Sequence, residues 1–295
     1  MNNITTSLKS IIEQLSQRYT DEITCQAHAW WFLELVTHKT KAELLAHDTV
    51  LSAAQRVHLT RLLERHLVQH EPLAYLIGFV PFGSLTIAIR PPILIPRPET
   101  EEWCTNLIAS LQPLAPQKLT ILDMCTGSGC IALSIAAALP NAHVWAVDIS
   151  QQACDLTREN ARKNNIDNIT VVQSDLFVAL PADLTFDLIV GNPPYVSQEE
   201  WHTLEPSVAE WEDKIALVGG DDGTAIVAHI AAVARTRLKQ ISPVRAQHLP
   251  QLVLEIGYLQ AQIMQQVVGR AGFLAEVGYD AAHYSRYVVG FLKSD

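Results

Sequence analysis

The feature that most constrains the fold is an alternation of strand-like and helix-like patterns that begins near residue 118. Short apolar, β-branched runs predict strands at residues 119–122, 143–147, 169–172 and 186–190, and the stretches between the first three predict helices. Such alternation is typical of a doubly wound domain with a mostly parallel sheet. Ligands of these sheets bind beyond the carboxyl ends of the strands, where the strand order reverses.

The alternation continues to the carboxyl end of the chain. The patterns predict a helix that ends near Leu238, a fifth strand at residues 252–256 and a helix at residues 261–271. Residues 273–277 and 287–291 predict an antiparallel hairpin at the edge of the sheet. The predicted fold class is therefore α/β, with a Rossmann-like sheet that closes on an antiparallel hairpin.

The first quarter of the chain has a different character. Apolar residues recur at helical spacing through residues 4–70, which predicts a small all-α domain at residues 1–71. Residues 72–97 are rich in proline and glycine and predict a β-hairpin linker, with strands at 85–89 and 93–95. The α/β domain is predicted to span residues 98–295.

Charge and composition exclude several function classes. The net charge is −10, and residues 1–100 are balanced, so the acidic excess lies wholly in the remainder. An acidic surface is poorly suited to a nucleic-acid backbone and better suited to a basic protein or a small molecule. No apolar run reaches the roughly 18 residues of a membrane span.

Neither disulfides nor a metal site is predicted. The five cysteines show no disulfide-framework spacing, which favours a reducing compartment. The histidines lack the spacing of metal ligands, so no bound metal is expected. Residues 1–20 carry at most a weak organellar transit signal.

Each of the first four predicted strands ends in a residue that is suited to ligand binding. A tight turn, Thr126-Gly127-Ser128-Gly129, follows the first strand and would let a ligand approach backbone N–H groups. Asp148 ends the second strand, where a carboxylate can accept hydrogen bonds from ribose hydroxyls. Asp175 ends the third strand, where a carboxylate can accept a hydrogen from an adenine amine. Together these positions predict a nucleoside site.

The fourth strand runs into Asn192-Pro193-Pro194-Tyr195. Two prolines stiffen this edge and remove two N–H donors, so it presents mainly acceptors. The Asn192 side-chain oxygen and the Pro193 carbonyl could each accept a hydrogen from a planar –NH2 group, and Tyr195 could stack on that group. The alternative is a rigid loop with a capping asparagine. Residues 201–220, rich in Trp and acidic residues, predict a partial lid after this edge.

The nucleoside ligand could be a dinucleotide or S-adenosylmethionine. A dinucleotide fingerprint would place its third glycine at Ala132, which the variant form of that fingerprint allows. The Asn-Pro-Pro-Tyr edge discriminates between the two, because a dehydrogenase has no need of it. A transferase that moves a methyl group onto a planar amine does need such an edge, so S-adenosylmethionine is the predicted cofactor.

Five motifs together resemble the HemK/PrmC family of N5-glutamine methyltransferases. They are Asp-x-x-Thr-Gly-Ser-Gly, Val-Asp-Ile-Ser, Ser-Asp-Leu-Phe, Gly-Asn-Pro-Pro-Tyr and Leu-Ile-Pro-Arg-Pro-Glu-Thr-Glu. The resemblance covers nearly the whole chain. It implies that the substrate is the glutamine of the Gly-Gly-Gln motif of a class-1 peptide release factor. Residues 81–85 and 100–103 resemble fungal mitochondrial members, which implies the mitochondrial matrix in a eukaryote and the cytoplasm otherwise.

The resemblance also assigns roles to individual residues. It implies that the segment that begins at Asp123 holds the methionine end of the cofactor, that one acid holds the ribose and that two residues flank the adenine. It implies that four residues form the catalytic edge and that the Pro-Arg-Pro segment braces a substrate loop. The residues at the methionine end are Asp123, Cys125, Thr126, Gly127, Ser128 and Gly129; the ribose acid is Asp148, and the adenine residues are Asp175 and Leu176. The catalytic edge consists of Asn192, Pro193, Pro194 and Tyr195, and Asn192 also counts among the cofactor-binding residues. The residues of the substrate loop are Arg97 and Glu101.

Two positions carry further expectations. Cys125 stands where many members of the family have glycine, and it fits the turn if its φ is negative. Glu255, at the end of the fifth strand, is interpreted as structural.

The predicted chemistry is methyl transfer driven by positioning, because no strong general base is apparent near Asn192. Two rival functions stay open at this point: an adenine-N6 nucleic-acid methyltransferase and a non-catalytic scaffold with the same fold. The acidic charge weighs against the first, and the intact edge and glycine turn weigh against the second. A monomer without direct DNA or membrane binding is expected.

Overall fold

The computed structural model describes residues 4–47 and 49–293. The chain divides into two compact units. The first contains the residues up to Gly78 together with Pro206–Trp211, and the second contains Phe79–Glu205 and the residues from Glu212 onward. None of the described helices is long and apolar enough to cross a membrane.

The described residues form fourteen α-helices and nine strands. The helices are α1 Ile4–Leu15, α2 Glu22–Thr37, α3 Lys41–Ala46, α4 Ala53–Leu67, α5 Leu73–Ile77, α6 Pro98–Leu111, α7 Cys130–Ala138, α8 Gln151–Lys163, α9 Gln198–Trp201, α10 Pro206–Ala209, α11 Lys214–Leu217, α12 Ala225–Arg237, α13 Pro243–Ala246 and α14 Ala261–Arg270. The strands are β1 Phe79–Phe82, β2 Leu85–Ala88, β3 Thr120–Met124, β4 His143–Asp148, β5 Ile169–Gln173, β6 Leu188–Gly191, β7 Leu252–Glu255, β8 Phe273–Tyr279 and β9 Ser285–Leu292.

The first unit is a helical bundle, as its periodicity predicts. Capping boxes start two of its helices: Thr40 with Glu43 at α3, and Ser52 with Gln55 at α4. Its core is made of buried apolar side chains from α1, α2 and α4, among them Leu15, Phe32 and Leu63. Within the same unit, the Trp211 indole donates a hydrogen bond to the Gln69 carbonyl at 2.9 Å.

The second unit is built on a seven-stranded sheet in the order β5-β4-β3-β6-β7-β9-β8. The first five of these strands are parallel, and β9 pairs antiparallel with both β7 and β8. The order reverses between β3 and β6, so the ligand site of a doubly wound sheet belongs at their carboxyl ends. The predicted parallel sheet with its closing antiparallel hairpin is confirmed.

Both faces of this sheet are covered by helices. Ile121 of β3 packs in the core on the side of α6 and α7, whereas the next residue, Leu122, packs on the side of α12 and α14. Successive residues of a strand point to opposite faces, so a strand that is covered on both faces needs apolar residues throughout. This explains why the parallel strands appear in the sequence as continuous apolar runs.

The hairpin in residues 79–88 differs from the prediction. Its strands are β1 and β2, which join at Gly83-Ser84, whereas the sequence predicts strands at residues 85–89 and 93–95. The latter stretch forms no strand in the structure. Prolines 91, 92 and 96 surround it and supply no N–H groups for a ladder, which explains the error.

Asparagine side chains fasten this hairpin to α8 in the second unit. The Asn160 side chain accepts from the Ala88 N–H at 2.8 Å and donates to the Ala88 carbonyl at 3.0 Å. Asn164 makes the same pair of bonds to Thr86, at 3.2 and 3.0 Å. Asn160 also donates to the Ser128 carbonyl at 2.9 Å, so one side chain forms hydrogen bonds with both the hairpin and the glycine turn.

Candidate active site

A cleft of about 1040 Å³, including its open mouth, lies at the carboxyl ends of β3, β4, β5 and β6. Most of its wall is apolar, and it includes Ile131, Val147 and Ile226. Polar groups enter it from the strand ends, as the sequence predicts. The volume suits a ligand of the size of a nucleoside with a short side arm.

The glycine turn forms one side of this cleft. The Thr126 N–H donates to the Val147 carbonyl at 2.9 Å, and the Gly129 N–H donates to the Thr126 carbonyl at 2.8 Å. A Cβ added at Gly127 would meet no atom within 4 Å, so the outer face of the turn is open to a ligand. A Cβ at Gly129 would lie 2.8 Å from the Thr157 methyl group, so this second glycine allows the turn to pack against α8.

The backbone angle of Cys125 does not meet the condition under which its side chain fits the turn without strain. Its φ is +61°, in the left-handed region, rather than negative. Leu176, which also lines the cleft, likewise has a positive φ of 47°. Such a conformation is strained for residues with a Cβ. Glycine is therefore the residue that this backbone favours at position 125.

Asp123 lies beneath the glycine turn rather than in the cleft. It is fully buried, and it accepts hydrogen bonds from the Thr126 hydroxyl at 2.6 Å and the Ala132 N–H at 3.2 Å. Its other oxygen, Oδ1, has no partner among the described residues. Burial raises the pKa of this carboxyl to about 7. The structure thus places Asp123 as a support for the turn, and not in direct reach of the cleft.

Asp148 and Asp175 both line the cleft. The Asp148 carboxylate accepts from the Gly127 N–H at 2.8 Å and from the Ser150 N–H at 2.9 Å. Burial raises its pKa. Asp175 is exposed at the end of β5, and Leu176 beside it supplies an apolar surface.

The Asn-Pro-Pro-Tyr edge is only partly turned to the cleft. Asn192 and Pro194 line the cleft, whereas Pro193 is buried and Tyr195 is half-buried outside the cleft lining. Among the described residues, none forms a hydrogen bond with the Asn192 side chain, so its amide is available to a ligand. The Tyr195 hydroxyl lies 3.5 Å from the Glu255 carboxylate.

Three residues that the sequence analysis did not single out lie close against this edge: two glycines allow its close packing, and one glutamine bonds to it. A Cβ at Gly219 would lie 2.2 Å from the Pro194 carbonyl oxygen, and one at Gly223 would lie 2.1 Å from the Tyr195 carbonyl oxygen. The Gln260 side chain donates to that same Tyr195 oxygen at 2.7 Å. The sequence offered one signal, since Gly-Gly-Asp-Asp-Gly is a cluster typical of tight loops.

Arg97 and Glu101 have different surroundings. Arg97 donates to both oxygens of Glu212 at 2.7 Å, and the next residue, Asp213, donates its N–H to the Pro92 carbonyl at 2.8 Å. Asp213 and Ile215 line the cleft, so these bonds fasten residues 212–216, which we call the strap, beside it. Glu101 instead accepts from the Gly83 N–H at 2.8 Å and lies outside the cleft lining.

The cleft residues fit S-adenosylmethionine. The outer face of the glycine turn is open, two carboxylates are placed for hydroxyl and amine donors, and apolar walls can enclose a flat ring. The linker contributes to these walls through residues that were not predicted, Pro92, Ile93, Leu94 and Pro96. Among the described residues, no cluster of potential metal ligands occurs.

Comparison with known proteins bears on the fold and on the family of the chain. The methyltransferase small domain matches residues 103–209, and the PrmC N-terminal domain matches residues 7–78. The hMettl16 catalytic domain, solved in complex with MAT2A 3′UTR hairpin 1, has the same fold, with a TM-score of 0.55, 15% identity, and coverage of 90% of this chain and 91% of that chain. The fold and the cleft define an S-adenosylmethionine-dependent methyltransferase.

Curated relatives named release factor glutamine methyltransferase cover most of the chain. The protein from Rhodopirellula baltica is 36% identical over 82% of this chain and 78% of its own length, and that from Salmonella typhimurium is 37% identical over 82% of both. The chain belongs to the release factor glutamine methyltransferase family.

Proposed function

We propose that the chain transfers a methyl group from S-adenosylmethionine to the side-chain amide nitrogen (N5) of a glutamine in a peptide chain release factor. We further propose that this glutamine belongs to the Gly-Gly-Gln motif of a class-1 factor and that the modification supports translation termination. The relatives' names support the broader statement. The observation that carries the proposal is the unpaired Asn192 amide at the wall of a cleft that fits this cofactor.

Different residues of the cleft would bind different parts of the cofactor. The backbone of Cys125, Thr126, Gly127 and Ser128 would hold the amino-acid end, Asp148 the ribose hydroxyls, and Asp175 with Leu176 the adenine. When bound, the cofactor supplies a methyl group on a sulfonium sulfur, which is an electrophile. Asp123 keeps the turn in shape from beneath through Thr126 and Ala132.

The substrate amide would be held by acceptors rather than activated by a base, and one N–H proton would pass to water once the N–C bond has formed and the C–S bond has broken. The Asn192 side-chain oxygen and the Pro193 carbonyl would each accept one hydrogen of the glutamine –NH2 group. Bonds of this kind strengthen as positive charge develops on the nitrogen. Orientation of a poor nucleophile in a closed site can contribute up to about 7–11 kcal/mol to catalysis. Tyr195 would support the edge that presents both acceptors.

A transfer assay tests the proposal. Purified protein is incubated with methyl-labelled S-adenosylmethionine and either a class-1 release factor or the same factor with its Gly-Gly-Gln glutamine replaced by alanine. We expect label in the first factor alone, and mass spectrometry should place it on the glutamine side chain. Label in both factors, or in neither, would contradict the proposed substrate.

The two rival functions are tested with the same preparation. An adenine-N6 nucleic-acid methyltransferase would label single- or double-stranded oligonucleotides and would bind them in a salt-dependent way. We expect neither, because the net charge is −10. A non-catalytic scaffold would show no heat of binding when titrated with S-adenosylmethionine, whereas we expect saturable binding.

The cellular location of the protein and its oligomeric state are also proposed, and the location is based on two short segments of the sequence. The resemblance of residues 81–85 and 100–103 to fungal mitochondrial proteins favours the mitochondrial matrix if the source is eukaryotic. The relatives named above are bacterial and do not bear on that point. We propose a monomer, and sedimentation equilibrium would test it.

A further inference from the structure

Glu255 ends β7, the strand next to β6 in the sheet, and β6 leads into Asn192. Its side chain is buried, with 4% of the residue exposed. One carboxylate oxygen, Oε2, accepts from the Thr100 hydroxyl at 2.6 Å and from the Trp103 indole at 2.8 Å. The other oxygen, Oε1, faces the Tyr195 hydroxyl at 3.5 Å.

The groups that meet at this carboxylate come from two segments beside the cleft. Thr100 and Trp103 belong to the first turns of α6, which begins directly after Arg97, and Thr100 itself lines the cleft. Tyr195 is the last residue of the Asn-Pro-Pro-Tyr edge. Glu255 is therefore the one described side chain with hydrogen-bond contacts to both segments.

Stability alone does not explain a carboxylate at this place. A buried charged group costs free energy, and apolar residues of similar size are often as stable or more stable. Burial raises the pKa of Glu255, and burial followed by the charge of Glu255 raises the pKa of the Tyr195 phenol. The phenol thus keeps its proton at neutral pH and serves as the donor in this contact.

We propose that Glu255 is a positioning residue for methyl transfer, and that its carboxylate fixes Tyr195 and the first turn of α6 at the edge of the cleft. This inference rests on the proposed function. Since a displacement of about 1 Å can cost on the order of 100-fold in rate, a side chain that fixes the edge acts on turnover rather than on cofactor binding.

Three variants of the whole chain test the inference. Glu255→Ala removes all three contacts, so we expect kcat for a class-1 release factor to fall by about tenfold or more. Glu255→Gln can keep them, because its amide oxygen can accept from Thr100 and Trp103 while its NH2 donates to Tyr195. We expect this variant to stay within about threefold of the wild type. Tyr195→Phe removes only the hydroxyl group, and a fall in kcat by about threefold or more is expected.

The dissociation constant for S-adenosylmethionine, measured by calorimetry, should change little in all three variants. Glu276→Ala is the matched control, because Glu276 is an exposed acid on β8, at the edge of the sheet two strands from β7, and should leave kcat unchanged. If Glu255 acts through Tyr195, the Glu255→Ala/Tyr195→Phe double variant is no slower than Glu255→Ala alone.

Several results would overturn the inference. An unchanged kcat in Tyr195→Phe would do so even if Glu255→Ala fails to fold, because Tyr195→Phe leaves the carboxylate and its bonds to α6 intact. Additive losses in the double variant would show that the two residues act separately. A cofactor affinity that falls in parallel with kcat would indicate a role in the fold of the cleft. If the wild type does not label the release factor at all, the proposed function itself fails instead.

Discussion

The backbone angle φ of Cys125 decides which side chains this position can carry without strain. With φ at +61°, the residue lies in a region where side chains with a Cβ cost about 1–3 kcal/mol, and β-branched side chains fit worst. The turn that it begins leads to Gly127, whose outer face is open to the cleft. Strain at this residue is therefore stored directly beside the place where the cofactor is proposed to bind.

We expect Cys125→Val to unfold at lower urea concentration than Cys125→Gly, with a free energy of unfolding lower by about 2 kcal/mol. Its affinity for S-adenosylmethionine should also be weaker. Cys125→Ser, which has the same shape and the same strain, is the control and should resemble the wild type. Equal stability of the valine and glycine variants would show that the positive φ has no energetic consequence.

Asn192 is expected to act on turnover. Replacement by alanine removes one proposed acceptor for the glutamine amide, which should lower kcat by about 100-fold or more. The affinity for the cofactor should change far less, because the glycine turn and the acids at the ends of β4 and β5 remain. Steady-state kinetics and calorimetric titration separate the two effects. Equal losses in kcat and affinity would count against this role.

At the scale of elements, amide side chains of α8 bond the backbone of the β1–β2 hairpin within the second unit, whose core also contains Phe82 and Ile87 of the hairpin. Asn160 and Asn164 each make three hydrogen bonds to backbone groups, but Asn160 is buried and Asn164 is half-buried. An amide that bonds both the N–H and the C=O of one residue reproduces the pairing of a β-ladder. Because the two side chains make the same number of bonds and differ in burial, a comparison of their variants shows how much burial contributes to stability.

We expect Asn160→Ala to lower the free energy of unfolding by about 3 kcal/mol, at about 1 kcal/mol for each lost bond. Asn164→Ala should cost about 1 kcal/mol in total, because water can reach the backbone groups that it leaves. Urea unfolding followed by tryptophan fluorescence measures both values. Similar values for the two variants would argue that burial of the anchor does not matter.

The strap at residues 212–216 is the second element whose position depends on distant side chains. The Glu212 side chain is 1% exposed and that of Arg97 is 33% exposed. Removal of one partner from a fully buried pair costs about 3–5 kcal/mol, and the exposure of Arg97 lowers that figure. Asp213 and Ile215 of the strap line the cleft, so its detachment opens the proposed cofactor site.

Arg97→Met should therefore release the strap at a cost of about 2 kcal/mol and weaken the binding of S-adenosylmethionine. Faster tryptic cleavage after Lys214 would report the release. The control is Arg90→Met, which breaks an exposed pair with Glu159 and should cost at most about 1 kcal/mol without a change in affinity. Unchanged cleavage in Arg97→Met would contradict a fastening role for this pair.

For the whole molecule, the fully buried Asp123 links stability to pH. Burial raises its pKa from 3.8 to about 7, so the folded state holds a proton that the unfolded state has released between these values. This group contributes most to stability below pH 3.8, and the contribution is lost as the pH rises through about 7.

Asp123→Asn does not titrate, so its stability relative to the wild type should increase by on the order of 2–3 kcal/mol between pH 5 and pH 8. Urea unfolding of both proteins at the two pH values measures this change. A difference between variant and wild type that is the same at both values would show that the Asp123 carboxyl does not titrate in this range.

The sequence alone determined the fold class and the edge of the sheet at which ligands bind. Both follow from local patterns, because periodicity identifies strands and the carboxyl ends of parallel strands meet on one side. The glycine turn, Asp148, Asp175 and Asn192 could be placed together for that reason. Their roles in the reaction stay predictions that the proposed experiments test.

Only the tertiary structure decided which residues support that edge. Arg97 meets Glu212, Thr100 meets Glu255, and Gln260 meets the Tyr195 carbonyl across long stretches of chain. No periodicity encodes such pairs, since they depend on the strand order and on how loops return to the sheet. The same holds for the backbone angle of Cys125 and for the burial of Asp123, because packing around a residue sets its strain and its pKa, and that packing exists only in the folded chain.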